Sequence, residues 1–206
     1  LPGEFYAGGM YATARLSGYI STSHLLRAVR PRGGFGQHRC DQKRERLESV
    51  VANLFGLSVP ALMQRHTTQP FCRAFPEIEF GVTHGGEQRS RIVRRALTRE
   101  LVPRPRVCAD CAREDISYWG RSYFRCDHQL PGVQRCSKHQ TALFETQRGD
   151  FDQFPFDAVR SQTLTVAPHV SIAVGNSVVQ RYEQLACAVM ERQAPISPAD
   201  AHAAVK

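Results

Sequence analysis

A chain of 206 residues, 42% hydrophobic and 22% charged, is long enough for one large domain or two small ones. Its apolar content suits a packed core and excludes wholesale disorder. No apolar run approaches the ~18 residues that a membrane helix needs, and no signal peptide is visible at the start. Net charge is +8, and the excess is confined to one half: residues 1–106 hold 17 Lys/Arg against 8 Asp/Glu, residues 107–206 hold 10 against 11. Such asymmetry fits a half that faces a polyanion; a basic surface kept for solubility is the plainer alternative.

The opening "EFYAGGMYATARLS" has helical spacing with Met10 and Ala14 on one side, although Gly8 and Gly9 each weaken a helix by about 1 kcal/mol. Gly18 ends it, and Ser21 or Ser23 caps a second helix, "HLLRAV", which makes a helix-turn-helix-like pair. "RPRGGFGQHRCDQKR" is a glycine-rich basic loop. In "RERLESVVANLFG" the positions Leu47, Val50, Val51, Leu54 and Phe55 recur at helical spacing, with Gly56 as the stop. Ser58 and Pro60 open another short helix running to Thr67, and "FCRAFPEIEFGVTHGG" reads as a loop with a brief strand.

"QRSRIVRRALTREL" is a helix with Ile92, Val93, Ala96, Leu97 and Leu101 on one half of its wheel. Arg91, Arg94, Arg95 and Arg99 occupy the other half. A phosphate-binding face and a plain solvated face fit that stripe equally well. "VPRPR" is a stiff connector, "RGDFDQFPFDAVRSQ" an aromatic-bearing loop, and "LTVAPHVSIAVGN" an extended stretch. "SVVQRYEQLACAVMER" is an amphipathic helix with Val178, Tyr182, Leu185, Val189 and Met190 on one face. The start at Leu1 and a closing "SPADAHAAVK" that reads as a helix beginning point to a piece of a longer chain.

The densest chemistry lies between residues 106 and 145, which carry four of the seven cysteines and two histidines. Cys108 and Cys111 form a C-x-x-C, and Cys136 and His139 a C-x-x-H. Two such pairs complete the closed tetrahedron that Zn²⁺ prefers in structural sites, and leave no open position for catalysis. A redox C-x-x-C is the rival reading, but it leaves the matched C-x-x-H unexplained. Cys126 and His128, inside the intervening loop, are substitute ligands on paper; the simpler roles are a small buried hydrophobe and a backbone-bonded imidazole. Cys40, Cys72 and Cys187 lack a partner at ligand spacing and read as packing residues. Asp110, Glu114 and Asp115 offer carboxylates, most simply around a helix start. Unpaired spacing of this kind, with no signal peptide, favours a reducing cytoplasm.

The expected architecture is therefore mainly α with a small zinc-bound α/β module. A basic helical part with helix-turn-helix-like helices spans residues 1–105. A zinc-knuckle or ribbon segment and following helices, ending in the C-terminal amphipathic helix, span 106–206. Two basic stretches supply the candidate nucleic-acid contacts: Arg27, Arg30, Arg32, Arg39, Lys43 and Arg44 in the first, Arg91, Arg94, Arg95 and Arg99 in the second. Arginine suits phosphate because its planar fork donates two hydrogen bonds to one group.

"CADC" followed by "SYFRCDHQLPGVQRCSKHQTALFE" resembles the signature of the TniQ/TnsD family of transposon target-selection proteins. "LPGEFYAGGMYATARLSGYIS" is similar to that family's opening helix, and "LMQRHTTQPF" to a further segment of it, so the resemblance spans most of residues 1–190. Departures occur at Gly8 and Gly9, where a small hydroxyl residue is usual, at Ser137 for a common Pro, and at Gln140 for a usual Gly. None removes a ligand. The resemblance implies a bacterial, cytoplasmic and nucleoid-associated target selector rather than an enzyme. Its implied partners are double-stranded DNA at an attachment or target site, the transposon's AAA+ ATPase and, in some systems, an RNA-guided effector complex. No membrane is implied.

Overall fold

The computed structural model describes residues 1–29, 47–74, 102, 104–147, 151–166 and 175–192. Among them, eight α-helices surround a three-stranded sheet. α1 (Tyr6–Leu16) and α2 (Thr22–Val29) form a tight hairpin, in which Ser21 Oγ accepts the His24 N–H at 3.3 Å and caps α2. α3 (Leu47–Leu54) and α4 (Val59–Arg65) follow, α4 capped by Ser58 with proline in its first turn. Met10, Ala14, Leu25, Val51, Ala52 and Leu62 bring these four helices onto one apolar cluster. No single helix among the described residues is long and apolar enough to cross a membrane.

Gly8 and Gly9 are buried in α1, where their lack of a side chain allows close packing. A Cβ on Gly9 would lie 2.6 Å from Phe55 Cζ, and one on Gly8 would lie 3.0 Å from the Phe124 ring. The helix-propensity cost of this pair is thus set against the approach of two aromatic rings.

The chain then differs from the sequence reading in four places. α5 (Gln69–Ala74) is a helix where "FCRA" reads as loop, and α7 (Pro155–Arg160) is a helix where "FPFDAVR" reads as loop. In both, a proline in the first turn starts the helix rather than breaking it, because its missing N–H has no partner there anyway. Arg106 belongs to β1 (Arg106–Val107), not to the connector before it. α8 (Ser177–Glu191) forms as expected and Tyr182 and Met190 of its expected face pack on the core, but the face is turned in part: Val178 is 76% and Leu185 51% exposed, while Glu183 and Ala186 are buried.

β1, β2 (Phe144–Thr146) and β3 (Leu164–Val166) form an antiparallel sheet in that order, with Arg106 opposite Glu145 and Phe144 opposite Val166. α6 (Ala109–Trp119) follows β1 directly and ends at Gly120 in the left-handed conformation. The N-terminal residues lie against this module. Phe5 N–H donates to the Phe124 carbonyl at 2.6 Å, and Cys126 N–H to the Gly3 carbonyl at 2.9 Å. Phe5, Val107, Phe124, Cys126 and Phe151 close an apolar cluster over that contact.

Candidate metal centre

Cys108 is the residue before α6 and Cys111 lies in its first turn, so the step from strand to helix aims both sulfurs at one point. Cys136 and His139 come from a small turn in which Gln140 N–H donates to the Cys136 carbonyl and Cys136 N–H to the Thr141 carbonyl, each at 2.9 Å. Gln140 takes a left-handed φ of 57°, a conformation glycine adopts without strain, so the turn keeps its shape with a side chain in a costly place. Its amide donates to the Ser137 carbonyl at 2.7 Å.

The four donor atoms lie within 4.8 Å of one another, a cluster that can hold a metal ion. His139 Nδ1 is 3.5, 3.3 and 3.7 Å from the sulfurs of Cys108, Cys111 and Cys136, and the Cys111 and Cys136 sulfurs are 3.6 Å apart. A tetrahedron with metal–sulfur bonds of about 2.3 Å has edges of about 3.8 Å, so the donor set fits an ion of zinc's size. Its three cysteines are buried in an apolar cluster with Phe71, Leu130, Val133, Leu143 and Ala186. Hydrogen bonds from Cys111 and Cys136 pull the Cys108 thiol far below its usual range, and the contact with Cys108 pushes both of those thiols up. Three thiols this close cannot all ionise by themselves; a bound cation removes that conflict.

Polar side chains set the loops that carry the ligands. Gln129 Oε1 accepts the Arg106 N–H at 3.0 Å and its amide donates to the Arg106 carbonyl at 2.9 Å. The buried Arg106 guanidinium donates to the carbonyls of Leu130 and Val133 at 3.2 and 2.9 Å, and pairs with Glu145. Glu183 of α8 accepts the N–H groups of Gln134 and Arg135 at 2.8 and 3.1 Å, just before Cys136. Tyr182 donates to the Pro131 carbonyl at 2.7 Å, and a Cβ on Gly132 would meet its ring at 2.7 Å. The "QLPGVQ" stretch is thereby held from both sides.

A second polar knot joins this module to α1. Glu4 is 1% exposed and receives both ends of the Arg121 guanidinium, at 2.7 and 2.8 Å. Burial pushes the Glu4 carboxyl up, and the Arg121 guanidinium together with the Leu1 ammonium, 2.9 Å from Glu4 Oε2, outweighs it, leaving the group below the ordinary carboxylate range. His66 Nδ1–H donates to the Glu4 carbonyl at 2.8 Å, and burial lowers the pKa of that ring. Glu4, Arg121, Gln129 and Glu183 carry no ligand-type spacing that marks them in the sequence. Glu4 and Gln129 fall inside the quoted motif stretches, which was the available signal.

The other expected site residues fall differently. Cys126 lies outside the sulfur cluster and is buried among apolar side chains, which raises its pKa. His128 is also outside; it is buried, and its Nε2 meets no hydrogen-bond partner among the described residues. Asp115 is buried and paired with Arg125 at 2.6 Å. Trp119, Tyr123 and Phe124 are the aromatic candidates for an ATPase-facing surface, with packing around the metal knot as the plainer role: Tyr123 and Phe124 are buried, whereas Trp119 is 44% and its neighbour Tyr118 77% exposed, the two rings meeting edge to face. Arg27 is exposed in the last turn of α2. Arg30, Arg32, Arg39, Lys43, Arg44, Arg91, Arg94, Arg95 and Arg99 lie outside the described residues.

The fold and site define a mainly helical protein built around a closed cluster of three thiols and one imidazole. The TniQ family model matches residues 1–143, most of the chain, and no curated protein matches it. The chain belongs to the TniQ family, a non-catalytic, adaptor-type family that serves target selection in transposition.

Proposed function

We propose that this protein is a zinc-stabilised DNA-binding adaptor that marks a transposon's insertion site and recruits the AAA+ ATPase regulator there. Membership of the TniQ family carries the reading. The donor set supports Zn²⁺: three thiolates and an imidazole at tetrahedral edges are the ligands of a closed, structural zinc site. A closed site has no place for substrate, which agrees with an adaptor that is not an enzyme. The protein would act in the bacterial cytoplasm at the nucleoid.

The proposed division of labour follows the charge. Residues 1–105 touch DNA, and residues 106–206 form the neutral scaffold. The ten basic residues singled out above would contact mostly phosphate, without base readout. α2, with His24 and Arg27 exposed, is the helix that would approach a groove. A second reading, a module that docks on the ATPase or on an RNA-guided effector without touching DNA, is favoured by the exposed Tyr118–Trp119 pair.

Salt separates the two. DNA affinity is measured from low to moderate salt for the wild type and for a variant with Arg91, Arg94 and Arg95 all changed to Ala. Loss of three phosphate contacts weakens binding to every sequence and flattens the log–log slope by up to about 3. Parallel lines at equal affinity would remove these three arginines from the DNA surface. No DNA binding at any salt, with ATPase capture retained, would establish the second reading.

A further inference from the structure

Among the four ligands His139 is the weak flank. The cysteines are 1%, 3% and 1% exposed, while the His139 side chain is 17% exposed. Water or a chelator therefore reaches the site past the imidazole. On that side stands one carboxylate, Glu114, one helical turn beyond Cys111 on α6. Its Oε1 accepts from His139 Nε2 at 2.9 Å, and its Oε2 accepts from the Lys138 ammonium. Glu114 thus ties the helix bearing one ligand pair to the turn bearing the other.

An ionised carboxylate can only accept hydrogen bonds, so the proton of a neutral His139 ring sits on Nε2. Nδ1 then presents its lone pair to the three sulfurs. The other tautomer would aim an N–H into the cluster and bar a metal. Ring orientation is fixed by the same contact, since Nε2 cannot leave Glu114 without turning Nδ1 away from the sulfurs. Asp110 takes no part in this contact; it pairs with Arg113 and accepts from Thr141.

We infer that Glu114 is a positioning residue for the metal site: it sets the tautomer and orientation of His139, and Lys138 holds it in place. The inference rests on the zinc reading above, and the alternative is an exposed ion pair with no bearing on the metal. Outer-shell partners of ligating histidines are typically worth 10- to 100-fold in metal affinity, roughly, when removed.

The test uses the full chain loaded with Zn²⁺. Transfer of zinc to a chromogenic chelator is timed for the wild type, E114A, E114Q, K138M and R113A. The ¹⁵N shifts of His139 report its tautomer, and circular dichroism checks that the helices remain. E114A is expected to release zinc about 10- to 100-fold faster, with a mixed His139 tautomer and helical content intact. E114Q, which keeps the acceptor oxygen, should fall between E114A and wild type, and K138M should shift less than E114A. R113A breaks an ion pair on the same helix that does not touch a ligand, and should match the wild type. Release from E114A at the wild-type rate, with His139 in the Nε2–H form, overturns the inference and leaves the zinc reading standing. A wild-type chain that retains no stoichiometric metal overturns both.

Discussion

The two ends of the TniQ region are held together by different physics. Around α1 to α4 the core is a set of interlocking apolar side chains, with Met10, Ala14, Leu25, Val51, Ala52 and Leu62 at its centre. Around Cys108 the centre of the core is the ligand set itself, and the surrounding loops are fixed by Gln129, Arg106 and Glu183 rather than by long strands or helices. One region can lose a methylene and adjust; the other has a single point on which two chain segments converge. Function divides similarly in the proposed reading, with a scaffold that must not yield and a basic part that meets its partner.

The largest break in that comparison comes from the metal. Apparent binding energies of about 10–16 kcal/mol for structural zinc match or exceed the whole folding stability of a small domain. Cys136→Ser, or a strong chelator, is expected to abolish dispersed amide signals from residues 106–147 and to render the chain prone to precipitation. Elemental analysis and NMR spectra check this together. Cys126→Ser removes a buried sulfur that is no ligand, and should keep one metal per chain at a cost of about 1–3 kcal/mol for the buried hydroxyl. Equal damage from both would mean that Cys126 is part of the site.

The seam between the regions should rank next. Arg121→Met leaves the buried Glu4 carboxylate without its bidentate partner, for an expected loss of about 3 kcal/mol, the low end for a broken buried pair because Arg121 itself keeps some solvent. Zinc should remain bound, since Glu4 touches no ligand. Urea midpoints with and without chelator read the two effects separately. Loss of metal from this variant would show that the seam and the metal centre fold as one unit.

Gly9→Ala sharpens the comparison within the apolar region. Its Cβ would sit 2.6 Å from Phe55 Cζ, so the ring must move or the helix must shift, at about 1–3 kcal/mol. A urea midpoint equal to that of the wild type would mean that Phe55 swings aside freely. Phe55 also stacks edge to face on His66, at 5.4 Å, which argues against free movement.

How much of this was legible in the sequence follows from how local each feature is. The grouping of Cys108, Cys111, Cys136 and His139 could be read because two residues between ligands fix a turn, whatever lies elsewhere. α1, α3 and α4 could be read because stop and cap residues bracket an apolar period. α5 and α7 are not legible because each is only six residues long, too short to show an apolar period. The turned face of α8 was out of reach. Glu183 is buried because it serves the N–H groups of a loop some fifty positions earlier, and no apolar pattern on α8 contains that contact. Gly8 and Gly9 looked like a weakness for the same reason, since Phe55 and Phe124 approach from distant parts of the chain.

The smallest expected effect is a pH dependence at the seam. His66 is buried, its Nδ1–H donating to the Glu4 carbonyl while its own carbonyl accepts the Tyr6 N–H at 2.8 Å. Burial disfavours the charged ring, so its folded pKa lies below the ordinary histidine value of 6.5. The sign follows from linkage: the unfolded chain binds the proton more readily. The contribution of a neutral His66 is therefore complete above about pH 6.5 and is lost as pH falls toward the lower folded value. Acid also protonates the thiolates and the half-buried His139, so a fall in wild-type stability alone would not identify the group. His66→Asn offers an amide donor in place of Nδ1–H and cannot titrate in this range. Urea midpoints for wild type and H66N at about pH 7.5 and about pH 5.5 cancel the metal contribution in their difference. The wild type should lose more stability than H66N on acidification. Equal losses would mean that the ring takes up its proton without leaving its place, with the seam open enough there to hydrate it.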